Sequence, residues 1–208
     1  MIQMQPLNGR RIVLTRDAEG SSRLAQRLEA LGAEILTLPL IEVRPELDRE
    51  AAREVFEAFA SYEWILFTSR NGVRHFFPPF LEQFSDIRSL GFIRIGAVGA
   101  GTLEALAAYH LRADFVPPRA TARDLGAGLC DHQSLDSIKV LVITGNRNRE
   151  DLVQLLWENR AIVDTLQVYA TGFPDLSEHA GAARFRSEGA DALVFASASA
   201  VQAFGEQS

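Results

Sequence analysis

The chain is poor in cysteine and has no long apolar run. Its 208 residues include one cysteine, Cys130, which excludes a disulfide framework and a cysteine-based zinc site. We interpret Cys130 as a small apolar filler on a predicted helix. No segment approaches the roughly 20 apolar residues that cross a bilayer. The first six residues lack the pattern of a secretory signal, so we expect a soluble, cytoplasmic protein with no membrane partner.

Positive charge is outnumbered by negative charge, with 21 Lys and Arg against 27 Asp and Glu. The formal net charge is −6, and the sequence has no basic stripe of the kind that a nucleic-acid-binding protein normally carries. We therefore expect no nucleic-acid partner. An anionic ligand would have to be held by a local site, because the overall field of the protein repels it.

The motifs of several ligand classes are missing. The four histidines show no i, i+4 pairing that would hold a metal. The segment Gly99-Ala100-Gly101 is not a dinucleotide fingerprint, because Glu104 stands where the third glycine would fall. No Walker loop with its lysine is present, and Ser69, Ser197 and Ser199 lack the glycine framing of a nucleophile elbow.

Apolar residues are plentiful, at 47% of the chain, and their pattern predicts alternating strands and helices. Such alternation indicates an α/β fold with parallel sheets. Trp64 and Trp157 fall within this pattern and are predicted to be core residues. A helix beginning near Val73 should break or kink at Pro78-Pro79. The predicted strands are residues 12–15, 35–43, 64–67, 93–98, 114–116, 140–143, 162–169 and 193–195.

Two blocks of the chain repeat at one shared, ungapped offset. Residues 11–41 match residues 139–169, and residues 62–76 match residues 190–204. Generic similarity between α/β units could produce isolated matches, but it would not fix the offset. Two complete copies at this offset would need about 256 residues, about 48 more than are present. We therefore expect that the C-terminal part of one domain is missing.

Parallel sheets bind ligands outside the carboxyl ends of their strands, so the loops that follow the predicted strands are candidate sites. They are rich in small, hydroxyl, amide and cationic residues, and each leads into a helix N-terminus that favours anions. A Ser or Thr at such a position is more often a helix cap than a ligand, and the arginines could be surface charges. The candidates are Arg16, Ser69, Asn71, Gly72, Gly99, Gly101, Thr102, Arg147, Arg149, Ser197 and Ser199.

Tyr169 ends a predicted strand in the second copy of the repeat. The matching residue of the first copy is Ile41, so packing within the repeat does not require a phenol. Tyr169 is either a functional residue or a tyrosine that uses its amphipathic ring at an interface.

A series of short segments lies in a fixed order along nearly the whole chain. The segments are Ile12-Val13-Leu14-Thr15-Arg16, Leu31-Gly32-Ala33-Glu34, Pro39-Leu40-Ile41-Glu42, Phe67-Thr68-Ser69, Asn71-Gly72-Val73, Ala97-Val98-Gly99 with Thr102, Gly145 with Arg149-Glu150, Val168-Tyr169, and Phe195 with Ser197, Ser199, Ala200 and Val201. Each segment is weak alone, but their order and spacing together are fairly specific. Together they resemble the uroporphyrinogen-III synthase family.

The resemblance implies two flavodoxin-like parallel-sheet domains joined by a two-stranded linker. Residues 1–40 with 170–208 would form an incomplete, discontinuous domain, and residues 41–169 would form the inserted one. Residues 39–45 and 168–174 would be the two crossing strands. The strand containing Pro39 would then leave its sheet, as a proline inside a strand also suggests.

The resemblance also implies an activity. The family cyclises the linear tetrapyrrole hydroxymethylbilane with loss of water and inversion of the terminal ring, without a metal or organic cofactor. Its substrate carries eight carboxylates, which the candidate rim would bind. Tyr169 matches the family's tyrosine and would be the general acid. Ser69 and Thr102 would bind carboxylates or the leaving hydroxyl.

Two other functions stay open on the sequence alone. One is a non-catalytic, uroporphyrinogen-synthase-like module for regulation or binding. The other is a protein that binds a different anionic metabolite. No self-association motif is visible, so we expect a monomer with a small-molecule substrate as its partner.

Overall fold

A computed structural model describes residues 5–16, 18–147 and 151–207. The chain divides into two compact units. Unit 1 comprises Met1–Glu42 and Thr171–Ser208, and unit 2 comprises Val43–Ala170. No helix among the described residues is long and apolar enough to cross a membrane.

The elements alternate along the chain, which confirms the predicted α/β class with parallel sheets. The strands are β1 (Arg11–Leu14), β2 (Glu34–Thr37), β3 (Glu42–Pro45), β4 (Trp64–Phe67), β5 (Arg94–Ala97), β6 (Lys139–Gly145), β7 (Ile162–Gly172) and β8 (Ala192–Val194). The α-helices are α1 (Ala18–Ala30), α2 (Arg49–Glu57), α3 (Arg70–Phe84), α4 (Ala100–Ala107), α5 (Ala122–His132), α6 (Asp151–Glu158), α7 (Ala180–Glu188) and α8 (Ala198–Gln207).

Unit 2 is built on a five-stranded sheet of order β3-β7-β6-β4-β5. The pairs β4–β5, β4–β6 and β6–β7 are parallel. Every residue of β4 is buried, as expected for a strand that is covered on both faces. An isolated bridge joins Gly96 to Phe115, where the sequence predicted a further strand.

Each face of this sheet has its own apolar core. One core is dominated by phenylalanines from α2 and α3, packed on Leu141 and Ile143 of β6. The opposite core joins α5 and α6 to Val140 and Val142. The alternation of β6 therefore divides its side chains between two helix layers.

Helix α3 continues through Pro78 and Pro79 to Phe84, so the prediction of a helix break is wrong. The helix is continuous because its buried face, with Phe76, Phe77 and Phe80 all fully buried, anchors both sides of the proline pair. Local propensity is overridden by this packing.

Unit 1 contains a three-stranded sheet of order β2-β1-β8, in which both pairs are parallel. The order matches β7-β6-β4 of unit 2. The offset of the sequence repeat also relates β2 to β7, β4 to β8 and α3 to α8. The sequence repeat is therefore also a repeat of structure.

Two predictions about individual elements need correction, and one helix was not predicted. Trp157 is 60% exposed and is not a core residue, because α6 turns only its Leu152, Val153 and Leu156 face into the protein. The predicted strand 35–43 is two strands, β2 and β3, separated around Pro39. Helix α7 was not predicted, because its alternating small and charged residues carry a weak periodic signal.

Candidate functional site

The carboxyl ends of β4, β5 and β6 lie at the same edge of the unit 2 sheet, because the three strands are parallel neighbours. The loops that follow them contain seven predicted site residues that the structure describes and an eighth, Arg149, that lies outside the described residues. Six of those seven, all but Arg147, lie at the start of α3 or of α4. This edge is the candidate site.

Tyr169 reaches this edge from β7 because of an irregularity in the ladder. Thr144 of β6 pairs with Gln167, but the next residue, Gly145, pairs with Tyr169, so Val168 is an extra residue in β7. Strict alternation would place Tyr169 on the α6 face of the sheet. Instead Val168 and Tyr169 both pack against the phenylalanine-rich core on the α3 face. The bulge therefore redirects the phenol toward α3.

Ser69 caps α3 and contacts Tyr169. Its Oγ accepts a hydrogen bond from the backbone N–H of Gly72 at 3.0 Å, which satisfies one of the free donors at the helix start. The same Oγ lies 3.1 Å from the Tyr169 hydroxyl, and either oxygen can be the donor. Three predicted site residues, Ser69, Gly72 and Tyr169, are therefore together.

The Tyr169 ring rests on Gly145. A Cβ added at Gly145 would lie 2.5 Å from Cε2 and 2.9 Å from Cε1 of the tyrosine. His75 of α3 stacks near the same ring, with a centroid distance of 6.0 Å and an interplanar angle of 29°. Burial, and secondarily the charge of Arg74, lower the pKa of His75, which favours the neutral imidazole at pH 7.

Arg70 joins the loop after β4 to the loop after β5. A Cβ added at Gly101 would meet the Arg70 guanidinium, with Nη2 at 2.8 Å and Nε at 3.1 Å. The guanidinium therefore lies against the first turn of α4. This places a cation beside the positive end of a helix dipole, an arrangement that favours an anion between them.

Gly99 begins α4 with φ of 81°, a conformation that favours glycine. Among the described residues no side chain caps this helix. Thr102, predicted to bind substrate, is 3% exposed, and its Oγ1 donates to the carbonyl of Val98 at 2.6 Å. The proton of the Thr102 hydroxyl is therefore donated to a backbone carbonyl of the protein. Asn71 is half-buried in the first turn of α3.

The loop after β6 is only partly described. Arg147 is exposed, and the neighbouring Asn146 donates its backbone N–H to the carbonyl of Tyr169 at 3.2 Å. Arg149 lies outside the described residues. A pocket of about 550 Å³ opens on the α6 face of this loop and is lined by neutral residues that include Gln154 and Trp157.

The remaining predicted residues belong to unit 1. Arg16 is exposed directly after β1, and Ser199 is half-buried in the first turn of α8. Ser197 accepts a hydrogen bond from the backbone N–H of Ala200 at 3.2 Å, so it caps α8 as Ser69 caps α3.

In the described part of the chain, no group of three or more His, Cys, Asp or Glu side chains could hold a metal ion.

Three residues of the site are not predicted from the sequence: Arg70, His75 and Gly145. Arg70 had a usable signal, since it stands between two selected residues in a loop after a buried strand. Gly145 belongs to one of the candidate loops and to a segment of the family resemblance, but no sequence signal places it beneath Tyr169. The stacking of His75 depends on the bulge in β7, which has no local signature in the sequence.

Comparisons with known proteins agree on one family. The family model described as uroporphyrinogen-III synthase HemD matches residues 22–208. The chain is 34% identical over 169 residues to the porphyrin biosynthesis protein HemD of Ruminiclostridium josui, and 32% identical over 178 residues to the uroporphyrinogen-III synthase of Synechococcus elongatus. These matches cover 81% and 82% of this chain but only 33% and 64% of the two relatives.

Solved structures show the same fold. A mutant uroporphyrinogen III synthase of Thermus thermophilus matches with a TM-score of 0.66 at 20% identity, over 95% of this chain and 77% of that one. The uroporphyrinogen-III synthetase of Helicobacter pylori matches with a TM-score of 0.58 at 20% identity, over 95% and 78%.

Proposed function

We propose, from the premise that this chain belongs to the uroporphyrinogen-III synthase HemD family, that it cyclises hydroxymethylbilane with loss of water and inversion of the terminal pyrrole ring. The chain spans one third and about two thirds of the length of the two relatives described above. The activity is therefore our proposal for this protein.

The observation that carries the proposal is the pairing of the Tyr169 and Ser69 hydroxyls at 3.1 Å. The reaction needs a proton for the hydroxyl that leaves as water. If Ser69 donates its proton to the Tyr169 oxygen, its own oxygen still accepts from Gly72, and the phenol proton is free to point at the substrate. We therefore assign Tyr169 as the general acid and Ser69 as the residue that orients it.

Arg70 and the first turn of α4 support binding of the substrate carboxylates. The guanidinium lies against Gly101, so a carboxylate placed there would meet a bidentate cation and backbone donors together. We propose that Arg70, Gly99 and Gly101 bind one carboxylate, and that Asn71 and Gly72 line the neighbouring edge. Such local groups suit a polyanionic substrate on a protein of net charge −6.

Thr102 has a different proposed role from the one predicted. Because its hydroxyl proton is donated to Val98, we assign it to fixing the turn between β5 and α4. Arg16, Ser197, Ser199, Arg147 and Arg149 remain predicted binding residues.

We also propose the finer fold, two flavodoxin-like domains joined by a two-stranded linker, with residues 1–40 and 170–208 in one domain and 41–169 in the other. The division into two units and the matching order of β2-β1-β8 and β7-β6-β4 support it. A cytoplasmic location, a monomeric state and independence from cofactors are predictions from the sequence and the family.

The test is a coupled assay with the 208-residue chain. Porphobilinogen and a hydroxymethylbilane synthase generate the substrate in place, and oxidised products are separated by chromatography. Isomer III in excess over a reaction without this chain is expected. Isomer I alone would contradict the proposed activity and favour a non-catalytic binding module. Tight binding of another anionic metabolite without turnover would favour the third function.

A further inference from the structure

We infer that Gly145 is a positioning residue for the Tyr169 phenol, and that its role is to leave the space in which the ring lies. The inference rests on the proposed function, because it concerns the group assigned as proton donor. Gly145 itself touches the ring of Tyr169 and makes no proposed contact with substrate.

The geometry shows why a glycine stands at this position. Its φ is not positive, so the backbone conformation does not demand glycine. The available space demands glycine, because an added Cβ would collide with Cζ, Cε1 and Cε2 of Tyr169 at once. These atoms are the hydroxyl-bearing end of the ring, so any side chain at residue 145 moves the hydroxyl itself.

The ladder prevents a compensating movement. Gly145 and Tyr169 are paired residues at the point where the register of β6 and β7 shifts, and Asn146 donates its N–H to the Tyr169 carbonyl. The backbones on both sides of the contact are therefore fixed. A larger residue 145 would have to displace the ring, and the Tyr169–Ser69 contact would be lost.

Three features thus act together on one phenol. The extra residue Val168 turns Tyr169 toward α3, Gly145 leaves the space that the ring occupies, and Ser69 contacts the phenol hydroxyl. In unit 1 the residue that corresponds to Tyr169 is Ile41, which packs against an apolar core. The same framework therefore presents a polar group in only one of the two units.

The first test is a double-mutant cycle in the coupled assay. We expect Gly145→Ala and Tyr169→Phe each to lower kcat about 100-fold, the scale of a lost general acid, with little change in KM. The double variant should lose no more than either single variant, because both changes remove the same interaction. A Gly145→Ala variant with wild-type kcat, or two losses that multiply in the double variant, would overturn the inference.

Gly128→Ala is the matched control. A Cβ added at Gly128 of α5 would lie 2.5 Å from Cζ and 3.0 Å from Cε1 of Phe115, so this substitution makes a similar collision with a ring that is not part of the proposed site. We expect this variant to lose stability and retain kcat. An equal loss of kcat in Gly128→Ala would mean that Gly145 acts only through general stability.

A second readout is independent of activity. The chain has three tyrosines, so a ring-labelled sample gives three sets of NMR signals, and the set lost in Tyr169→Phe belongs to Tyr169. Gly145→Ala and Ser69→Ala should both shift that set, and Gly128→Ala should not. If the wild type makes only isomer I, the proposed function fails while this measurement still decides whether Gly145 places the ring. An unshifted Tyr169 signal in Gly145→Ala would overturn the inference.

Discussion

Ser69 and Ser197 occupy equivalent positions in the two copies of the repeat, and each caps its helix by accepting a backbone N–H from three residues later. The distances are 3.0 Å to Gly72 and 3.2 Å to Ala200. Ser69 has an additional partner, the hydroxyl of Tyr169. The two copies therefore share the capping role, and unit 2 adds the contact with Tyr169.

Replacing Ser69 should separate these two roles. Ser69→Ala is expected to lower the free energy of unfolding by about 1 kcal/mol through loss of the cap. It should also lower kcat about tenfold, because the phenol loses the group that orients it. The measurements are urea denaturation and the coupled assay.

Thr121→Ala is the control for the cap. Thr121 accepts the N–H of Asp124 at 3.0 Å at the start of α5, and neither residue is part of the proposed site. We expect a similar loss of stability with unchanged kcat. Identical kcat values for the two variants would remove Ser69 from the proposed mechanism.

Removing the Tyr169 hydroxyl should impair chemistry more than folding. Tyr169→Phe keeps the ring on Gly145 and is expected to lower turnover about 100-fold while leaving measurable isomer III, because positioning of the bilane also contributes to the rate. Tyr109→Phe, whose ring packs 4.4 Å from that of Phe77, is the control. Unchanged turnover in Tyr169→Phe would exclude it as the general acid.

Arg70 should affect substrate binding. Arg70→Gln removes the cation beside Gly101 and is expected to raise KM about tenfold, with a smaller change in kcat, because one carboxylate loses a charge-assisted contact. Arg88→Gln is the control, since Arg88 is an exposed arginine that pairs with Asp86. A larger effect on KM in the control would exclude a specific role for Arg70.

The parts of the fold that the sequence predicts best are those with strong local signals. The predicted strand at residues 64–67 is confirmed at those bounds as β4, because a run of four apolar residues has the length of a buried strand. Trp157 was misassigned because helical periodicity does not reveal that its face of α6 lacks a covering layer. The helix break expected at Pro78 and Pro79 does not occur, because tertiary packing outweighs the local penalty of the two prolines.

The candidate site was partly predictable, because some of its residues also carry strong local signals. Ser69 and Gly72 follow a recognisable strand, and Tyr169 stands out against Ile41 in the repeat. The contact between them depends on one extra residue in β7, and a one-residue shift in register leaves no pattern in the sequence. Gly145 and His75 could not be placed without that shift.

Unit 1 should lose stability in acid through Glu34. Hydrogen bonds from Arg184 at 2.6 Å and Arg11 at 2.8 Å lower the pKa of this carboxyl group below its usual value of 4.5. The unfolded state therefore binds the proton more tightly, and the stabilisation present at neutral pH is lost as the pH falls below about 4.5. The Tm difference between wild type and Glu34→Gln should be larger at pH 7 than at pH 3.5.

Glu57→Gln provides the comparison for that measurement. It removes an exposed pair with Arg53 at 3.2 Å, and pairs of this kind contribute little. We expect a small Tm change at both pH values. A Glu34→Gln difference that is constant with pH would contradict the proposed linkage.

The aromatic core of unit 2 should depend strongly on Phe80. This side chain is fully buried and lies 4.8 Å from the ring of Phe84 and 5.1 Å from that of Phe59. Phe80→Ala is expected to lower the free energy of unfolding by about 4 kcal/mol. Phe92→Ala, at a fully exposed position, should change it by less than about 0.5 kcal/mol. Comparable losses in urea denaturation would contradict this assignment of the core.

The pairing of β1 with β8 sets the order in which the chain can fold during synthesis. Ile12 pairs with Ala192, so the first strand leaves the ribosome long before its last partner is made. Unit 2 is continuous in sequence and can complete its core in that interval, whereas one edge of β1 stays unpaired. An open strand edge is a site of misassociation, so the nascent N-terminal segment is exposed to that risk until β8 has been made.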